Sequence, residues 1–404
     1  MLHNTVRALR FAFVSALFLV GLTSAAFTQT ETVLYGFQAP GDGAVSLAGL
    51  IRDHAGNFYG TTADGGATGH GTVFKLDTAG NETVLHSFSG TDGANPRAEL
   101  IRDTAGNLFG TTYFGGASNF GTVFKISWSG KFIFLYSFTG GTDGGNPSES
   151  LLRDPADNLY GTTLNGGNLS CPSTSNPVGC GVVFKVDPSG KETVLHSFDW
   201  SDGAFPTGLV AGDGSFYGTT TAGGTAGWGT VYKLDRIGSR QETVLHSFVP
   251  STTSDAGLNP YGRLFRDRKG NLYDTTYFGG NENACIDYNG CGAVFKLDPS
   301  GNLTVLHAFN NYPDGQGPLA GVIRDAKGNL YGTTSGGGSA VFGTVFKIDV
   351  TGKETVLHSF NGTDGAYPSY GTLLRDQEGN LYGTTPNGGS NIDNLNGVVF
   401  KITQ

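Results

Sequence analysis

One string of residues recurs seven times along this chain: R-D-x-x-G-N-L-Y-G-T-T, then G-T-V-F-K-L-D, then E-T-V-L-H-S-F. Its G-T-T element falls at Gly60, Gly110, Gly161, Gly218, Gly332 and Gly383, and Asp274 takes the glycine's place in the fifth copy. Spacings of 50 to 58 residues mark a repeat architecture, in which each unit buries its apolar face against the next. The repetition also constrains function. A residue present in every copy serves the scaffold first, so chemistry is to be sought where the copies differ.

Each unit divides into four segments: A (Leu50–Asp53, Leu100–Asp103), B (Asn107–Thr112, Asn380–Thr385), C (Gly71–Asp77, Gly343–Asp349) and D (Glu82–Phe88, Glu354–Phe360). They are short, rich in β-branched and aromatic residues, and bounded by turn residues. D-x-x-G turns such as Asp103-Thr104-Ala105-Gly106 place Asp where it accepts local N–H groups and Gly where φ is positive. Nothing after residue 30 keeps a helical period. Seven such units predict an all-β, seven-bladed β-propeller over residues 27–404, with four antiparallel strands per blade. The chain opens with a lone D segment, Glu31–Phe37, and ends on A, B and C of the last unit. Strand 31–37 is therefore expected to complete the last blade and close the ring. An open solenoid would leave it unpaired, with exposed edges.

Residues 1–26 read as a signal peptide: Arg7 and Arg10, then apolar Phe11–Leu22, then small residues with cleavage near Ala25 or Ala26. The apolar run falls short of the roughly 20 residues a spanning helix needs. The mature protein is expected to be secreted, periplasmic or at the cell surface, monomeric, and not inserted in a membrane. No C-terminal anchor is seen before Gln404. A formal charge of −9 without a Lys/Arg cluster argues against nucleic acid. The four cysteines fall as two close pairs in equivalent long loops, which in an exported protein predicts disulfides Cys171–Cys180 and Cys285–Cys291. A four-thiolate zinc site lacks the C-x-x-C spacing. No metal or other cofactor is expected.

His86, His196, His246, His307 and His358 share one slot with Tyr35 and Tyr136. That exchange suits a repeated hydrogen-bonding position better than a catalytic one. The Asp of D-G-x-x-P, as in Asp92 and Asp364, reads as a turn former, because a calcium loop offers several oxygens in one segment. No G-x-S-x-G, H-E-x-x-H or phosphate loop occurs. The loops between B and C vary most, and in a meander they share a face with the D-to-A loops. That face gathers the candidate ligand-binding residues Tyr113, Phe114, Phe120, Trp200, Trp228, Asp274, Tyr277 and Phe278. Exposed aromatics beside Asp and Asn suit sugar or peptide binding; the alternative is that they pack the loops onto the rim. Asp274 either protrudes into a functional space or reflects drift.

Whole units such as Lys353–Phe360 resemble the bacterial GloVer tandem repeat of the choice-of-anchor tandem repeat proteins, over residues 31–403. The resemblance implies export and repeats, often with a C-terminal sorting anchor, and carries no catalytic residue. The expectation is an exported binding or interaction module for an extracellular glycan or protein, without enzyme activity. The alternatives are a carbohydrate-active lyase or hydrolase with a site at the channel mouth, resting on fold analogy alone, and a structural cell-envelope module.

Overall fold

The structure, a computed structural model, describes residues 29–38, 41–172, 179–236, 240–250, 257–281, 284–285, 290–389 and 396–404. The signal-peptide segment and Asp255 of the fifth D-to-A connection lie outside the described residues. Seven four-stranded antiparallel units form a seven-bladed propeller, as the repeat predicts. In the first blade the strands are Ile51–Arg52, Phe58–Thr62, Thr72–Leu76 and Glu82–Ser87, paired in that order. Segment A is thus only two residues of ladder. The segment leading into it carries no ladder and is free to vary. Blades four and five add a short strand before A, Ala204–Pro206 and Leu258–Pro260, each pairing with segment B.

The N-terminal strand Thr30–Gly36 pairs with Val398–Thr403 and completes the seventh blade. This closure is packed as well as hydrogen-bonded. Phe37 meets Phe74 of blade one edge to face, with ring centroids 5.2 Å apart. The same contact recurs at the other junctions, for example Phe88–Phe124 at 5.2 Å and Phe360–Phe400 at 5.1 Å. Each such pair contributes about 0.5–1.5 kcal/mol beyond its area. The apolar core is accordingly divided among the blade junctions. One cluster joins Phe58 and Leu76 of blade one to Tyr382 and Val399 of blade seven.

The repeated glycine of G-T-T is a packing requirement. A Cβ on Gly332 would stand 2.6 Å from Cζ of Phe346, the residue it pairs with in segment C. The turns form as expected: Asp103 accepts the Asn107 backbone and side-chain N–H groups at 2.8 and 2.6 Å. Both disulfides form as the pairing predicts, Cys171–Cys180 with Cα atoms 5.7 Å apart and Cys285–Cys291 with 5.3 Å. Among the described residues no helix is long and apolar enough to cross a membrane.

Candidate functional site at the channel mouth

The repeated polar groups resolve first. His86 Nε2 lies 2.9 Å from Asp92 Oδ2, and Tyr136 Oη donates to Asp143 at 2.9 Å. Each aspartate also caps its own loop, as where Asp92 accepts the Ser89 N–H at 2.8 Å. The next blade sets a glutamate against this pair at several junctions. At two of them, Glu31/His358/Asp364 and His196/Asp202/Glu242, the ligand-type atoms all lie within 4.8 Å of one another. Burial pushes Glu31, Glu82, Glu192, Glu242 and Glu354 up to about 7. These groups sit on the outermost strand and recur round the ring, as scaffold does. A groove of about 760 Å³ on the A-to-B face is likewise lined by repeated turn groups, among them Asp267, Arg324 and Asp325.

The unrepeated residues converge elsewhere. The two to four residues between the proline of the D-to-A loop (Ser46 in blade one) and segment A differ from blade to blade, and they line the central channel. Arg263 reaches from blade five across to blade two, where its Nη1 lies 3.9 Å from Glu99 Oε2. It also donates toward Ser150 Oγ and the Leu209 carbonyl, each at 3.4 Å. Thr372 of blade seven donates to the same Glu99 oxygen at 3.0 Å. Gly49 makes room for this cluster: a Cβ there would lie 2.7 Å from the Thr372 carbonyl. The channel is thus crossed by one ion-paired plug built from five blades. Glu99 and Arg263 keep 22% and 27% of their side-chain surface, as groups lining a channel do.

Above the plug, on the B-to-C and D-to-A face, opens a cavity of about 280 Å³. Its walls are aromatic: Tyr113, Phe205, Tyr261 and Tyr370. Its charged groups are Arg97 and Glu149. Phe205 is held in the left-handed region at φ +58°, its N–H donating to the Cys180 carbonyl at 2.9 Å. The same left-handed conformation recurs at the equivalent Val45, Asn95, Asn146, Asn259, Gly317 and Tyr367, so it belongs to the repeated turn. Burial pushes Glu149 up to about 8, with Glu99 adding to the shift and Arg263 opposing it. Tyr261 and Tyr370 are raised by burial too.

Asp274 lies behind this wall, fully buried, with neither carboxyl oxygen hydrogen-bonded. A Cβ on Gly262 would fall 2.1 Å from its Oδ1, so the carboxyl occupies space that Gly262 vacates. Burial holds Asp274 well above the usual carboxylate range. The Thr275 N–H and the Thr219 hydroxyl lie close without reaching hydrogen-bond geometry, and Glu149 adds to the rise.

The residues singled out by sequence divide. Tyr113 lines the cavity. Tyr277 reaches its rim through an edge contact with Tyr261 at 5.7 Å. Phe114 stands beside Tyr113 at 4.6 Å, 39% exposed. Phe120, Trp200, Trp228 and Phe278 pack against junction cores and do not line the cavity, although Trp200 stands edge-on behind Phe205 at 6.5 Å and Phe278 beside Tyr277 at 4.5 Å. Sequence reasoning missed Arg97, Glu99, Glu149, Tyr261, Arg263 and Tyr370. The signal was present: these slots are the least repeated in the chain after the B-to-C loops.

The Gloeobacter/Verrucomicrobia repeat pattern matches residues 19–210 and 169–400. The chain belongs to that family. No curated protein matches it. Among solved structures, this repeat protein superposes on the extracellular domain of BT4673 of B. thetaiotaomicron with a TM-score of 0.54 at 13% identity. The match covers 91% of this chain but only 40% of that one. It superposes on the periplasmic gluconolactonase PpgL of Pseudomonas aeruginosa with a TM-score of 0.51 at 14% identity, over 80% of this chain and 86% of that one. At these identities the likeness is one of fold. Propeller geometry is shared and site chemistry is not implied.

Proposed function

We propose that this propeller is an exported binding module that takes a sugar-sized ligand in the channel-mouth cavity. The observation that carries the reading is the convergence of unrepeated residues, four aromatic rings with Arg97 and Glu149, on one concave site. A small, mostly apolar cavity with a few convergent polar groups is the usual form of a ligand site, and ring faces suit the apolar faces of sugars. Its volume is near the lower end of the roughly 300–1,000 Å³ of such sites. Export is supported by the N-terminal sequence and by the two disulfides.

The test is a saccharide and peptide binding screen on the secreted protein, followed by titration calorimetry. Tyr113→Ala and Tyr370→Ala should each weaken binding by about tenfold or more. Trp128→Ala, at a turn on the opposite face where the ring is 77% exposed, should leave it unchanged. Equal binding by all three variants would refute the site.

A second reading is favoured by Glu149, whose carboxyl keeps its proton near neutral pH. Such a group in an aromatic pocket is a general acid, so the same cavity would serve a carbohydrate hydrolase or lyase. Release of reducing ends or unsaturated products from polysaccharides, abolished in Glu149→Gln, would establish it.

A further inference from the structure

We propose that the channel-mouth cavity selects sugars carrying a single anionic group, with Arg97 as the group that binds it. This rests on the ligand-binding reading of the cavity and adds its specificity. The slot that Arg97 fills is occupied by Leu47, Ser148, Tyr261 and Leu319 in other blades, so the cation is particular to this point of the ring.

Five arginines elsewhere in the scaffold have acidic partners. Arg52 is near Asp376 (4.0 Å), Arg263 near Glu99 and Arg324 near Asp267 (3.8 Å), while Arg153 and Arg266 are paired with Asp157 and Asp213. Arg97 has no carboxylate within 4.0 Å among the described residues. It is nevertheless held in place. Its guanidinium carbon lies 4.2 Å from the centroid of the Tyr113 ring, and its Nε donates to the Asn95 side-chain oxygen. Asn95 is itself fixed in the left-handed region at φ +57°, with its amide donating to the Ala63 carbonyl at 3.0 Å. A stacked guanidinium tied through Nε keeps its two terminal NH₂ groups for an incoming oxyanion. That planar edge matches a carboxylate or a sulfate ester bidentately, and stacking on an aromatic face removes much of the side-chain entropy that binding would otherwise cost.

The other charged group in the cavity does not cancel this cation. Burial keeps the proton on Glu149 up to about pH 8, so the carboxyl faces the ligand as a hydrogen-bond donor and acceptor. The cavity then carries one net positive charge inside aromatic walls. A neutral sugar would leave Arg97 desolvated without a partner, whereas a monoanionic sugar satisfies it.

The experiment is calorimetric titration of the full chain, near pH 7, with glucuronic and galacturonic acid, O-monosulfated hexoses, and the corresponding neutral hexoses. Acidic ligands should bind about 10- to 100-fold tighter than neutral ones, the range of one charge-assisted bidentate contact. Arg97→Gln should erase that advantage, weakening acidic-sugar binding and not neutral-sugar binding, with the unfolding midpoint unchanged. Arg97→Lys, which keeps the charge and loses the flat fork, should recover only part of it. Preference for uronates alone or for sulfated sugars alone identifies the anionic group, and either supports the inference. Equal affinity for acidic and neutral sugars, or an Arg97→Gln protein that still prefers acidic ones, overturns it and leaves the pocket standing. Absence of binding by every sugar overturns the inference and the pocket reading together.

Discussion

The glutamate that opens the outer strand gives the scaffold a pH dependence of unusual sign. Glu31, Glu82, Glu192, Glu242 and Glu354 are each raised from 4.5 to about 7, with burial the largest cause. One oxygen of each is buried without a hydrogen-bond partner. A carboxyl whose folded pKa exceeds its unfolded value holds the proton more tightly in the fold. Its stabilisation is therefore complete below about pH 4.5 and is lost as pH rises through 7. A shift of about 2.5 units corresponds to about 3.4 kcal/mol per group at full desolvation. These side chains are only half-buried, so solvent screening reduces the figure to roughly 1 kcal/mol each. Five groups then remove on the order of 5 kcal/mol between pH 5 and 8. At about 2.1 cal/mol/K per residue that lowers the melting point by about 6 °C. His86 and His246, depressed by burial, act in the opposite direction as pH falls below their unfolded value. The turn aspartates act only at more acidic pH. Burial works against Asp103 and Asp376, yet hydrogen bonds from Asn107 and Asn380 outweigh it and hold both below the usual carboxylate range. Single substitution isolates the effect. Glu192→Gln should match the wild type at pH 5 and exceed it by about 1 kcal/mol at pH 8, read by calorimetry across that range. A melting point that rises with pH, or a Glu192→Gln protein less stable than wild type at pH 8, refutes the reasoning.

Two further outcomes are expected. Asp274→Asn keeps the volume and removes a buried acid whose folded pKa is raised, so it should match wild type only below the unfolded carboxylate range and grow more stable than wild type as pH rises above it, read by thermal unfolding. Replacing both Cys171 and Cys180 by Ser should cost roughly 2–3 kcal/mol for a loop of 9 residues; denaturant unfolding measures it, and weaker ligand binding should accompany it, because the Cys180 carbonyl holds Phe205 in the cavity wall.

The fold was legible because every level of the repeat agrees. Turn chemistry, β-branched strands and offset chain ends all point to one closed ring. The site was half legible. Tyr113, Tyr277 and Asp274 stood out as departures from the repeat, and they do gather at the channel mouth or behind it. Phe120 and Trp228 stood out equally and are scaffold. Their rings pack on junction cores, and their slot supplies a backbone carbonyl that accepts an N–H from the next blade at 2.7 Å for Phe120 and 3.0 Å for Trp228. That carbonyl role is indifferent to the side chain, which is why His70, Phe120, Trp228, Phe342 and Asn396 all occur there beside the disulfide-bonded Cys180 and Cys291. Sequence spacing gives position along a blade; it does not give distance from the ring axis. For that reason Glu99 and Arg263, 164 positions apart, could not be paired beforehand.

Why the ring should place its chemistry on the axis follows from what each slot has to do. Strands B and C are locked by facing pairs such as Gly332 with Phe346, where one added Cβ meets a ring at 2.6 Å. The outer strand is locked by the junction aromatics. The residues just before segment A lie outside the long B, C and D ladders, so their side chains are set by one another across the axis rather than by strand pairing. Seven such slots converge on one channel. Blades one and six contribute space through Gly49 and Gly321, while blades two, three and five contribute Arg97, Glu149 and Arg263. A repeat scaffold can thus assemble an asymmetric site from substitutions at these slots. Asp274 is the exception that tests this account. It lies inside the locked region with neither carboxyl oxygen hydrogen-bonded, it fits only because Gly262 leaves the space, and burial together with Glu149 keeps its proton on, so it enters the fold as a neutral group.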